Sequence, residues 1–235
     1  ISKIKMAART PAGALSLRSA NQEKKPRPAS TLARRARPMP KAALLEQIVA
    51  IGTSTGGPKA LEIVLSELPV NFPYPVVVVQ HMPPKFTQSL AQRLDRVCDV
   101  RVVEATDKEK VVGGTVYIAP GDFHMTVFQR HDELYIQLNR DNPRNGHRPS
   151  VDVLFESVAQ LKGLVQHYVL MTGMGNDGAE GMALAKQAGA RTTIAESEET
   201  CVVFGMPKAA IDKNCVDWVL PVNKIGAKIL EVTGL

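Results

Sequence analysis

Apolar positions along the chain switch between two spacings. Residues 48–51 form a short apolar run that stops at Gly52, and 76–79 is an unbroken run of valines. Such runs, bounded by turn residues, predict strands buried on both faces. Between them, residues 58–68 carry Leu61, Val64, Leu65 and Leu68 at helical spacing, with Pro58 where a first helical turn tolerates it. The alternation continues: a helix over 85–98, a strand over 100–104, a helix over 150–161 and a strand over 168–171. It closes with a helix over 178–188, strands at 192–194 and 218–220 around a helix at 207–213, and a last helix over 224–232.

Residues 115–138 read differently. Val116–Ile118, Met125–Phe128 and Leu134–Leu138 are separated by short polar turns and alternate in polarity, which predicts antiparallel hairpins with one wet face. The whole pattern therefore predicts an α/β fold: a doubly wound, mainly parallel sheet flanked by helices, Rossmann- or flavodoxin-like, with an antiparallel hairpin insertion. There is no internal repeat.

Charge divides the chain. The net charge is +6, yet residues 1–44 hold eleven Lys or Arg against the single acid Glu23, so residues 45–235 are net acidic. Residues 1–44 also carry five prolines and no aromatic residue, too little apolar surface to offset the entropy of ordering. They read as a basic, disordered linker, and 45–235 as the folded catalytic domain. A basic tail can bind nucleic acid or anionic lipid. Lacking aromatic residues and a sustained amphipathic period, it reads as solvated, with no nucleic-acid partner. The start at Ile1 suggests a fragment or processed piece. The longest aliphatic run is too short for a bilayer, and no signal-peptide pattern is present. Cys98, Cys201 and Cys215 are odd in number and widely spaced, which favours reduced thiols in a cytoplasmic protein over a disulfide or zinc framework.

Gly52-Thr53-Ser54-Thr55-Gly56 matches G-x-S-x-G, a sharp strand-to-helix turn that lifts a serine in front of free helical N–H groups. A phosphate-holding turn is the alternative, although the spacing is neither that of a Walker loop nor that of a dinucleotide fingerprint. A serine nucleophile needs a base. His81 directly follows the run ending at Gln80, so it falls at the carboxyl end of a strand, the edge where open parallel sheets bind ligands. His124 and His147 could lie near; His167 begins a strand, at the opposite edge. Asp177, after another apolar run, could orient the base or simply cap the helix that follows. Asp122 and Asp152 are its rivals. The order Ser, His, Asp differs from that of the α/β-hydrolases.

The segments IGTSTGG (51–57), VVQHMPP (78–84), YIAPGDFHM (117–125), HRPSVDVLF (147–155), LMTGMGNDGAEGM (170–182) and CVVFGMPKAA (201–210) together resemble the chemotaxis protein-glutamate methylesterase family, CheB, from about residue 48 to about 222. The resemblance implies Ser54 as nucleophile, His81 as general base, Asp177 as its orienting acid, and backbone N–H groups of Thr55 and Met174 as oxyanion donors. Thr53 stands where many members carry Ala. No metal or organic cofactor is implied. The implied substrate is a glutamate methyl ester on the cytoplasmic helices of methyl-accepting chemotaxis receptors, and some relatives also deamidate receptor glutamines. Family members carry a receiver domain ahead of a linker. Residues 1–44 match only the linker, so phosphate control is implied for the parent protein and not for this chain, which is expected to be a monomer. His147, Arg148 and Asp152 are expected either to order the rim of the site or to form a capped helix start. Met82, Met125, Met174 and Met206 are candidates for a receptor groove, with core packing as the other role.

Overall fold

The computed structural model describes residues 45–235; the expectations for residues 1–44 lie outside the described residues. Nine strands and six helices follow in order: β1 (Gln47–Thr53), α1 (Gly57–Leu65), β2 (Val76–Gln80), α2 (Phe86–Val97), β3 (Arg101–Glu104), β4 (Thr115–Ile118), β5 (His124–Arg130), β6 (Glu133–Asn139), α3 (Val151–Ala159), β7 (Val165–Leu170), α4 (Ala179–Gln187), β8 (Thr192–Glu196), α5 (Met206–Asp212), β9 (Trp218–Leu220) and α6 (Val222–Thr233).

Seven strands pair in the order β3-β4-β2-β1-β7-β8-β9, every pairing parallel. Their side chains alternate between two cores. On one face, Ile48, Ala50, Val77 and Val79 pack with residues of α3, α4, α5 and the hairpin. On the other, Val49, Ile51, Val76 and Val78 pack with residues of α1, α2 and α6. This two-sided burial is why β1 and β2 read as continuous apolar runs. Successive strands run outward from β1 through β2 to one side, then return through α3 to β7 on the other. The carboxyl ends of β1, β2 and β7 thus border the point where strand order reverses, where such sheets form a crevice. No helix among the described residues is long and apolar enough to cross a membrane.

One expectation needs correcting. Val116–Ile118 belongs to β4, which lies in the main sheet between β2 and β3, not in a hairpin. All four residues of β4 are buried, whereas β5 and β6 mix buried with exposed positions. Charge-free Thr115–Ile118 can be covered on both faces; the β5–β6 ribbon keeps one wet face. Among the described residues only β5 and β6 form an antiparallel hairpin. It is tied to the sheet by the segment between β3 and β4, where Lys108 and Val111 N–H donate to Ile136 and Leu134 carbonyls at 2.9 and 2.8 Å.

Candidate active site

Ser54 leaves the end of β1. Its N–H donates to Thr172 O (2.9 Å), and His81 N–H donates to Thr53 O (3.1 Å), so the turns after β1, β2 and β7 are laced together by backbone. The turn reverses at Gly56, whose φ of 85° places it in the left-handed region that side chains disfavour. Gly173 permits a close approach. A Cβ there would stand 2.8 Å from Ser54 Cβ and 2.2 Å from Met206 Sδ, so only glycine lets this backbone pass beside the serine.

Gln80 joins the two turns and was not anticipated from sequence. Buried at the end of β2, it donates from Nε2 to the carbonyls of both Ser54 and His81 at 2.9 Å, while its Oε1 accepts from Thr53 Oγ1 at 3.2 Å. Thr53, which stands where many members of the resembled family carry Ala, therefore adds a hydrogen bond beneath Ser54. A buried amide directly before the histidine was the available signal.

His81 reaches Asp177 through Nε2, 2.7 Å from Oδ2. Asp177 is buried and also accepts from Ser150 Oγ (2.8 Å), Val151 N–H (2.7 Å) and Asp152 N–H (3.1 Å). Burial works against its charge, but the bonds from His81, Val151 and Ser150 outweigh it and hold the carboxyl well below the usual range. An ionised carboxylate only accepts, so Nε2 carries the proton and Nδ1 the lone pair. Nδ1 is buried without a hydrogen-bond partner.

Asp177 is indeed a helix cap, but of α3 and not of the α4 that follows it. Asp152, in the first turn of α3, returns the arrangement: its Oδ1 accepts from Gly178 and Gly181 N–H at the start of α4 (2.9 and 2.7 Å). Burial, aided by the nearby Asp177 charge, pushes the Asp152 carboxyl upward. Asp152 makes no bond to His81. Asp122 lies at the rim, paired with Arg148 at 2.5 Å. Of the three candidate acids, only Asp177 meets the histidine.

His147 lies face to face with His81, ring centroids 3.8 Å apart and planes 8° from parallel. His124 lies one step back, its Nδ1 accepting from Ser150 N–H at 3.3 Å. His167 sits in β7, toward the opposite end of the sheet, bonded to Gln47. Neither Thr55 N–H nor Met174 N–H donates to a protein acceptor among the described residues. The four methionines divide: Met125 and Met206 are buried core, Met82 is half-buried, and Met174 is 71% exposed. Exposed Val202 stands beside Met174's neighbours, pressed against Gly56. Among the described residues no cluster of three His, Cys, Asp or Glu is placed to hold a metal ion, and the three cysteines are free.

The family model for CheB methylesterase matches residues 49–229. The chain belongs to that family. A protein-glutamate methylesterase/protein-glutamine glutaminase of Halalkalibacterium halodurans is 50% identical over 184 residues, covering 78% of this chain and 53% of that one. A Thermotoga maritima protein of the same name is 47% identical over 192 residues, covering 82% and 56%. The crystal structure of the Thermotoga maritima CheB methylesterase catalytic domain superposes with a TM-score of 0.77 at 47% identity, covering 80% of this chain and 98% of that domain. The chain spans about half the length of the curated relatives it matches.

Proposed function

We propose that this chain is a serine hydrolase that removes methyl esters from glutamate side chains on the cytoplasmic helices of chemotaxis receptors, working in the cytoplasm. The observation that carries the reading is the His81–Asp177 contact. It fixes the proton on Nε2 and leaves Nδ1 as a lone-pair base on the turn hydrogen-bonded to that of Ser54. His81 Nδ1 takes the Ser54 proton as Oγ attacks the ester carbonyl. The oxyanion is held by the Thr55 and Met174 N–H groups, which have no protein acceptor of their own. Methanol leaves with the proton from His81, and water activated by the same nitrogen releases the free carboxylate. A glutamine amide follows the same course with ammonia as leaving group, in keeping with the double name of the relatives. Exposed Met174 and Val202 supply an apolar rim suited to a receptor helix.

The test is methanol release from methyl-labelled receptor membranes. Ser54→Ala is expected to lower turnover on the order of 10⁶-fold, as in other serine triads. Equal release by both proteins would remove Ser54 from the reaction.

A further inference from the structure

We propose that His147 is a positioning residue for the general base, its neutral ring stabilising the His81 imidazolium that forms only as Ser54 loses its proton. This rests on the triad reading above. The geometry is the first support. Two neutral aromatic rings avoid a direct face-to-face sandwich because their quadrupoles repel. The His81–His147 pair is near-parallel, with centroids 3.8 Å apart, closer than the roughly 4.5–7 Å usual for aromatic pairs. When one ring becomes a cation, the π face of the other attracts it. The stack is therefore stronger with His81 protonated than neutral, and such a difference lowers a barrier instead of tightening substrate binding.

The second support is how firmly His147 is presented. It closes a tight turn in which Arg144 and His147 exchange backbone bonds of 3.1 and 2.8 Å across Asn145 and Gly146, both at positive φ. The turn is anchored on one side by Arg144–Glu156 at 2.5 Å, and on the other by Arg148, which also donates to the carbonyls of Arg140 and Asp141. Asn145 Nδ2 reaches Asp152 at 3.1 Å. A ring held this way also keeps His81 from rotating off Asp177.

The third support is charge. The ionisable groups acting on His147 are His81 and Asp177. Burial and the His81 ring lower its affinity for a proton, and Asp177 opposes them. The surrounding charges are committed elsewhere: Arg144 to Glu156, Arg148 to Asp122, Asp152 to helix N–H groups. His147 is thus neutral at neutral pH. In acid it gains a charge that repels the imidazolium.

The experiment measures kcat and KM on methyl-labelled receptor membranes across pH for wild type, His147→Ala and His147→Phe, with Ser54→Ala and His81→Ala in parallel. His147→Ala is expected to lose about ten-fold in kcat with KM within two-fold. His147→Phe, which keeps a π face and cannot be protonated, restores most of that loss. Its kcat also falls less steeply on the acid side than the wild type's. Wild-type kcat in His147→Ala, or an acid limb in His147→Phe parallel to the wild type, overturns the proposal. Activity surviving in Ser54→Ala or His81→Ala overturns the triad reading instead. His147 is half-exposed at a turn, so both variants should fold; if the alanine variant does not, the acid limb of the phenylalanine variant decides alone.

Discussion

At the scale of single residues, Asp177 does two jobs with one carboxylate. It accepts from His81 and from the first N–H groups of a helix, so its orientation is fixed before any substrate arrives. The helix terminus also favours its negative charge. Asp177→Asn replaces one acceptor oxygen with a donor. The amide either keeps its oxygen towards His81 and Val151 N–H and sets its NH2 against Asp152 N–H, or turns the NH2 towards His81, where the imidazole loses the tautomer that keeps Nδ1 free. We predict a loss in kcat on the order of 10⁴-fold, less than for Ser54→Ala, with receptor KM little changed. An Asp177→Asn variant with wild-type turnover, measured as methanol release, would mean His81 needs no orienting acid. Cys201 shows how a residue near the site can be inert. Burial and the Glu196 charge push its thiol up to about 12, far from a nucleophilic thiolate at neutral pH.

At the scale of elements, α3 and α4 cap each other. Asp177 precedes α4 and satisfies α3, while Asp152 lies in α3 and satisfies α4. The turn that carries Asp177 is thereby locked to α3, which in turn packs over Gly52 in β1: a Cβ at Gly52 would fall 2.2 Å from Val151. Asp152→Ala leaves two buried helix donors without a partner. It is expected to lower unfolding free energy by about 1–3 kcal/mol, read from urea midpoints, and to reduce kcat as the Asp177 turn loosens. Asp152→Asn keeps an acceptor for those N–H groups and should recover most of the stability. If both variants match the wild type in stability, the reciprocal caps carry no weight. This pairing also marks where sequence reading stops. Ser54 and His81 were legible because each follows an apolar run directly, and the strand period fixes which edge of the sheet it reaches. Asp177 was legible as a candidate, but whether it caps or orients was open, since a cap supplied to a helix distant in sequence leaves no local spacing. His147 was legible only as a candidate for the rim, and Gln80 not at all, because each bonds or stacks across turns far apart in the chain that no period connects. β4 was misassigned because four residues are too few to separate alternation from continuous burial.

At the scale of the molecule, acid acts on the two ends of the sheet by different routes. The proposed site lies at the carboxyl ends of the strands, where the rings of His81 and His147 stack. Toward the amino ends, fully buried His167 bonds through Nε2 to Gln47 Oε1 at 2.9 Å and leaves Nδ1 buried without a partner. Burial, with Arg191 adding repulsion, pushes its pKa down to about 4. The unfolded chain exposes the same imidazole to water and protonates it near pH 6.5. Between those two values the unfolded state holds a proton that the folded state refuses. Stability from this group is therefore complete above about pH 6.5 and declines as pH falls towards 4. The full span corresponds to roughly 3 kcal/mol at most. His167→Gln removes the titration while keeping a side chain that can bond Gln47. Urea unfolding of both proteins at pH 7.5 and 4.5 should show the wild type losing roughly 2–3 kcal/mol more than the variant over that interval. Other carboxylates titrate in both proteins alike, so the difference isolates His167. Turnover at pH 7.5 should be the same for both, because the substitution leaves the crevice untouched. Equal loss of stability in the two proteins would mean that His167 takes up its proton inside the fold, and the acid sensitivity would then have to come from the site end of the sheet.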